Sequence, residues 1–159
     1  MPMPALSHLH MDPEQPVPGA GDGMMLAELP SAAVNRFVET AGEQAAFPLL
    51  SVELRHLDGE LGRRRPENGA LGALDGAYVL YAVSTAPVPE MELAARAQIT
   101  ALKQAMAPWK APHIYLNFAE TPIDPASLWT TDAYDRLRQV KATTDPHDRI
   151  RSNHPVPSA

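Results

Sequence analysis

The 159-residue sequence contains no cysteine, which excludes disulfides, thiolate nucleophiles, cysteine metal ligands and a cysteinyl bond to a cofactor. No apolar run reaches membrane-spanning length, and the first residues lack the basic and apolar regions of a secretion signal. We therefore expect a cytoplasmic protein with no membrane role. The net charge of -6 also leaves no basic surface for nucleic acid, because the one basic run is only Arg63–Arg65.

Metal ligands are scarce as well. His8 and His10 flank Leu9 at a spacing that suits chelation, but no third ligand lies near them in the sequence. We expect no metal site.

Proline and glycine dominate the first part of the chain. Residues 1–23 hold five prolines and then Gly19, Gly21 and Gly23, a composition typical of extended or irregular chain. The glycines follow no clear strand, so they indicate a flexible connector and not a phosphate-binding loop. We expect an α+β domain over residues 24–144 and a tail without periodicity over residues 145–159.

Within that domain, hydrophobic periodicity predicts helices and strands in the order α-β-β-α-β-α, after a possible short strand at residues 24–29. The first helix is expected to begin with Ser31 as its N-cap and to bury a stripe of Val34, Phe37 and Val38. The pattern favours an α+β fold with helices on one face of a largely antiparallel sheet. The predicted strands are 47–57, 77–83 and 113–118, and the predicted helices are 31–42, 89–107 and 131–142.

Two of the predicted strands pair an apolar face with a polar one. In the first, Glu53 and Arg55 alternate with Val52, Leu54 and His56. In the third, Tyr115 and Asn117 alternate with Ile114, Leu116 and Phe118. If helices cover the apolar face, the four polar residues lie on the opposite face. That face is then either a half-exposed sheet surface or a site.

An ordered set of motifs resembles the berberine-bridge-enzyme-like family of FAD-linked oxidoreductases. The resemblance covers most of the chain, although Asp58 stands where the family has the first glycine of a turn. The matching segments are Val52–Gly59, Tyr115–Phe118, the helix Tyr134–Lys141, Asp145-Pro146 and Asn153–Val156.

The resemblance implies the C-terminal, substrate-side part of an oxidoreductase that oxidises an alcohol or amine with FAD. Nothing in the sequence resembles the family's flavin domain, so we expect no tight FAD binding and no activity from this chain alone. A small-molecule substrate is implied, together with a flavin-bearing partner chain or self-association. Two alternatives stay open: a subunit that completes the site of a separate flavin-bearing chain, and a non-catalytic ligand-binding remnant.

The resemblance also suggests roles for the four polar residues. Tyr115 would be the base that removes a proton, and Arg55 would stabilise its phenolate. Glu53 is an alternative base or a counter-charge for an amine, and Asn117 would orient the substrate or bind the flavin edge. Each also has a structural interpretation: Tyr115 as packing, Glu53 and Arg55 as a surface ion pair, and Asn117 as a backbone cap.

Overall fold

The computed structural model describes residues 2–3, 5, 15–43, 45 and 49–159. Three strands and three α-helices form its frame, and single 3₁₀ turns lie between them. The predicted α+β class is confirmed. The strands are β1 (Gly19–Leu26), β2 (Ser51–His56) and β3 (Tyr78–Thr85), and the helices are α1 (Ser31–Ala41), α2 (Pro89–Met106) and α3 (Thr131–Thr144).

The sheet is antiparallel throughout, in the order β1-β3-β2. In its register, Leu80 of the central strand β3 lies opposite Met24 of β1 on one side and opposite Leu54 of β2 on the other. Leu80 and Met24 are buried in the main core, beneath the helices. On the opposite face, Val79 and Met25 form a second, smaller core. Both faces of the sheet are therefore partly covered.

Helix α2 forms the roof of the main core. It begins at Pro89, which suits a first helical position, with Glu90 and Glu92 in its first turn. Its buried side chains follow helical spacing, and Pro108 prevents its continuation. The prediction of this helix was accurate to one residue. The buried residues are Ala95, Ile99, Leu102 and Met106.

Helix α1 is rotated relative to its prediction. Ala33 is fully buried, and Phe37 and Ala41 pack against the same core. Val34 and Val38, expected in the buried stripe, are instead 41% and 57% exposed. Residues four apart share a helix face, so burial of Ala33, Phe37 and Ala41 turns the two valines outward. The helix also begins after Pro30, so Ser31 is not its N-cap.

Strand β1 begins at Gly19, five residues before the expected start, and the prediction of a flexible glycine connector was wrong. The glycines alternate with Ala20 and Asp22 along the strand, so they share one face. A Cβ on Gly23 would lie 2.9 Å from the Cβ of Phe118. Glycine is needed there because another segment approaches the sheet too closely for a side chain.

That segment is the one predicted as a third strand, residues 113–118, and the prediction was wrong. The chain instead forms a 3₁₀ turn at Leu116–Phe118. The apolar/polar alternation fails with it: Phe118 packs edge-on against Tyr115, and Leu116 is 39% exposed. The Ile114 N–H donates to the Ser127 carbonyl at 3.0 Å and not to a neighbouring strand.

In the described part of the chain, no helix combines the length and apolarity needed to cross a membrane. His8 and His10 lie outside the described residues. Among residues that the structure does describe, no group of three histidine or acidic side chains is placed to hold a metal ion.

Candidate functional site

The candidate site is the sheet face opposite the helices, over which residues 115–120 cross. Val52 and Leu54 pack with the main core on the helical side, so Glu53 and Arg55 face away from it, as strand alternation predicts. Tyr81 lies opposite Glu53 in the β2–β3 register and therefore belongs to the same face. We call this surface the polar sheet face: Glu53, Arg55, Tyr81, Tyr115, Asn117, Phe118 and Glu120.

Arg55 is fixed in place by two kinds of contact. Its guanidinium donates to both carboxylate oxygens of Glu53, at 2.7 and 3.0 Å. Its Cζ atom also lies 5.1 Å from the centre of the Phe118 ring, within the range of a cation–π contact. The hydrogen bond to Glu53 raises the pKa of Arg55 above its ordinary value. Arg55 is thus a permanent positive charge whose direction is set by two neighbours.

Phe118 occupies the centre of the face. It stacks on Tyr81 with ring centroids 4.3 Å apart, and Tyr115 meets it edge-on at 5.2 Å. Such pairs prefer these two geometries because the ring faces are negative and the ring edges positive. The aromatic side chains position the phenol of Tyr115 and bring it into the electrostatic range of Arg55, whose raised pKa is due in small part to Tyr115.

Tyr115 and Asn117 do lie together, although not on a strand. The Asn117 side-chain amide donates to the Tyr115 hydroxyl oxygen at 3.2 Å. The 3₁₀ turn places the two side chains side by side. Tyr115 is half-buried and Asn117 is exposed, so the hydroxyl has both a fixed partner and access to solvent. The four polar residues named from the sequence thus lie around one surface.

Tyr81 and Glu120 belong to the site but were not predicted. The Tyr81 hydroxyl donates to one carboxylate oxygen of Glu120 at 2.6 Å, and Gly21 N–H donates to the other at 2.9 Å. Burial first, then the hydrogen bond to Glu120, raises the pKa of Tyr81 above its ordinary value. Tyr81 is therefore a proton donor at neutral pH and not a base. The alternating glycines of β1 were the available signal, because they indicate a close approach of another segment.

Two concavities border Asn117, and the smaller one also borders Tyr115. One is a mostly apolar cavity of about 90 Å³ bordered by Met25, Leu74 and Trp129. The other is an open depression of about 840 Å³, to which Glu120, Asn153 and His154 contribute. Only the second has the volume typical of small-molecule sites. The larger depression thus joins Asn117 to the C-terminal tail.

The C-terminal tail is held against residues 115–120, which we call the crossing segment. His154 is 9% exposed, and its Nε2 donates to the Ala119 carbonyl at 2.9 Å. Asp145, at the end of α3, pairs with Lys141 and accepts hydrogen bonds from the backbone N–H groups of Arg149 at 2.7 Å and Ile150 at 3.0 Å. The Lys141 hydrogen bond is the main reason that the pKa of Asp145 is lowered to about 2. These contacts fix the wall of the depression.

The arrangement defines an α+β unit that carries a polar, partly aromatic surface on the sheet face opposite its helices. No family model matches the chain, and no curated protein matches it. Solved structures do. The chain superposes on wild-type BBE-like 1 of Physcomitrella patens with a TM-score of 0.69 over 98% of this chain, at 12% identity. The D396N variant of that protein gives a TM-score of 0.68 over 96% of this chain, also at 12% identity.

The match is to part of the neighbour only. The chain spans about a third of the length of the BBE-like 1 chain, 33% in both structures. At this identity the likeness establishes a shared fold. The chain therefore has the fold of one portion of a BBE-like protein.

Proposed function

We propose that the chain is the substrate-side portion of an FAD-dependent oxidoreductase that oxidises an alcohol or amine, with the flavin held outside these 159 residues. The observation that carries the proposal is the fold match over 98% of this chain to a BBE-like protein. The motif resemblance of the sequence agrees with the proposal. The four site residues inferred from it lie around one surface.

Two segments that could hold the pyrophosphate of FAD, the β1 glycines and the start of α2, do not fit it. Gly19–Gly23 form part of β1, and Phe118 and Glu120 cover two of these glycines, so no phosphate loop is formed there. Helix α2 carries Glu90 and Glu92 in its first turn, which repel an anion. The flavin would therefore be held elsewhere. The surface fits a small polar molecule better.

The chain's own residues would bind substrate and move a proton. In this proposal Tyr115, as the phenolate, accepts the proton of a substrate O–H or N–H and becomes the phenol, with Arg55 on the same face. Asn117 orients the Tyr115 oxygen. Glu53, which holds Arg55, is the alternative base. Tyr81 stays protonated and donates to Glu120.

The position of Phe118 favours a second candidate function. Its ring lies against both Tyr81 and Arg55, at the centre of the polar sheet face. A face filled by its own side chains suits a non-catalytic ligand-binding protein, or a subunit that contributes only a wall to another chain's site. The non-catalytic protein predicts ligand binding without flavin reduction, whereas a subunit that completes the site of a flavin-bearing chain permits reduction.

Flavin chemistry separates these candidates. The purified chain should be colourless near 450 nm, because it holds no FAD tightly. Co-expressed with a flavin-bearing chain encoded beside its gene, it should permit bleaching of the flavin by an alcohol or amine. A yellow chain that keeps its colour after denaturation and desalting would contradict the cofactor proposal. A complex that binds alcohols or amines without bleaching would favour the non-catalytic alternative.

A further inference from the structure

The two edges of the sheet differ in how their backbone groups are satisfied. At the β1 edge, Gly21 N–H donates to Glu120 and Gly23 N–H donates to the carboxylate of Asp22. Farther along, the Met25 carbonyl accepts from Ala111 N–H, and Ala27 N–H donates to the Trp109 carbonyl. These contacts leave little of the β1 edge free to pair with another strand.

The β2 edge is open by comparison. Leu57 N–H donates to the Ala77 carbonyl at 2.8 Å, which continues the β2–β3 ladder. This bond shows which residues of β2 direct their backbone groups toward β3. Alternate residues of an antiparallel strand point their backbone groups to opposite sides, so Val52, Leu54 and His56 direct theirs away from β3. Within residues 15–43, 45 and 49–159, none of these six groups has a hydrogen-bond partner.

The β2 sequence is complementary to itself. If a second β2 pairs antiparallel with Leu54 opposite Leu54, Val52 faces His56 and Glu53 faces Arg55 of the other copy. Leu54 is an outward-directed residue, so this register makes three hydrogen-bonded pairs with two hydrogen bonds each. The two Glu53–Arg55 pairs fall at the positions between them, where side chains approach most closely.

The helices are compatible with this pairing. A two-fold axis through the Leu54 pair relates the copies about a line perpendicular to the sheet, so the helices of both copies stay on one face. The end of α1 and the start of β2 line a common depression, which places α1 on the β2 side of the domain.

We propose that two copies of this chain associate through antiparallel pairing of β2, centred on Leu54, to form a continuous six-stranded sheet. The inference is independent of the proposed oxidoreductase function. A short edge buries less area than a standard interface, so we expect a reversible dimer with a dissociation constant of about 10⁻⁵–10⁻³ M. On association, Glu53 and Arg55 stop pairing with each other within one strand, and each pairs with its counterpart in the other copy.

Charge reversal tests the register. Glu53→Arg would place like charges opposite each other twice, and we expect about 10-fold or more weaker dimerisation by sedimentation equilibrium. The double variant E53R/R55E should dimerise like the natural chain, because both pairs are restored. The natural chain and the double variant should not form mixed dimers with each other, which energy transfer between two fluorescent labels would detect.

Proline substitution tests the edge itself. The N–H of His56 points outward, so His56→Pro removes a donor of the dimer and none of the β2–β3 ladder. We expect His56→Pro to be monomeric and His56→Ala to dimerise, with unchanged circular dichroism in both. A natural chain that stays monomeric to 1 mM, a dimer unaffected by His56→Pro, or free mixing of natural and E53R/R55E chains would each overturn the proposal. An edge reserved for a strand of another polypeptide gives the first of these results.

Discussion

The ring of Phe118 lies against Tyr81 on one side of the sheet and directly over the backbone of Gly23. The centroids of the two aromatic rings are 4.3 Å apart, and a Cβ on Gly23 would lie 2.9 Å from the Cβ of Phe118. The aromatic side chain therefore fills the space that a side chain at position 23 would take. This relationship positions the crossing segment, and with it Tyr115 and Asn117.

Gly23→Ala should destabilise the fold. The new Cβ meets the Leu80 carbonyl oxygen at 2.8 Å as well as Phe118, and neither can move freely. We expect a loss of about 1–3 kcal/mol in the free energy of unfolding, measured by urea denaturation. Gly69→Ala is the matched control, because nothing lies within 4 Å of its Cβ position. Equal stability of the two variants would show that the crossing segment can shift at little cost in the free energy of unfolding.

Leu102→Ala and Leu116→Ala should differ in their cost. Leu102, on the inner side of α2, is fully buried, whereas Leu116 is 39% exposed. Truncating Leu102 leaves a cavity and should cost about 2–5 kcal/mol of unfolding free energy, while truncating Leu116 should cost less than about 1 kcal/mol. Thermal and urea unfolding of both variants provide the comparison. A large loss in Leu116→Ala would support the buried strand that its sequence pattern suggested.

Tyr115→Phe should slow catalysis in a flavin-bearing complex without disturbing the fold. The substitution removes only the hydroxyl, and the edge-on contact with Phe118 stays. If the phenol is the base, flavin reduction followed at 450 nm should slow by about 10²–10⁴-fold. Glu53→Gln is the companion variant. Normal flavin reduction in Tyr115→Phe together with its loss in Glu53→Gln would assign the base to Glu53.

The tail should loosen in acid. The folded state lowers the pKa of Asp145 to about 2, below the ordinary carboxyl value of about 3.9. A depressed carboxyl pKa stabilises the folded state above the unfolded-state pKa, and the stabilisation is lost as pH falls from about 4 to about 2. Other carboxylates titrate there too, so the measurement is the difference in melting temperature between the natural chain and Asp145→Asn. That difference should be positive at pH 6 and disappear near pH 2; a constant difference would contradict the assignment.

Local sequence signals predicted the elements that depend on local physics. Pro89, Pro108 and the spacing of Ile99, Leu102 and Met106 define α2 almost completely, because capping and periodicity act within the helix. The rotation of α1 was not predictable in this way. Ala33 and Val34 both fit an apolar stripe, and packing against the rest of the core decides between them.

The candidate site shows the same division. Glu53 and Arg55 face away from the helices because strand alternation is a local rule. Tyr115 and Asn117 were placed together correctly but for the wrong reason, since a 3₁₀ turn and not a strand holds them. Tyr81 and Glu120 meet across 39 residues of sequence, and only the three-dimensional path of the crossing segment brings them into contact.

The contact between Gly23 and Phe118 also bears on how this protein can vary among its descendants. An alanine at position 23 would clash with Phe118, and an alanine at position 118 would leave a cavity over Gly23. A glycine at position 118 would remove the contact with the Phe118 side chain but not the 2.8 Å contact with the Leu80 carbonyl oxygen. Glycine should therefore persist at position 23 whichever residue stands at position 118.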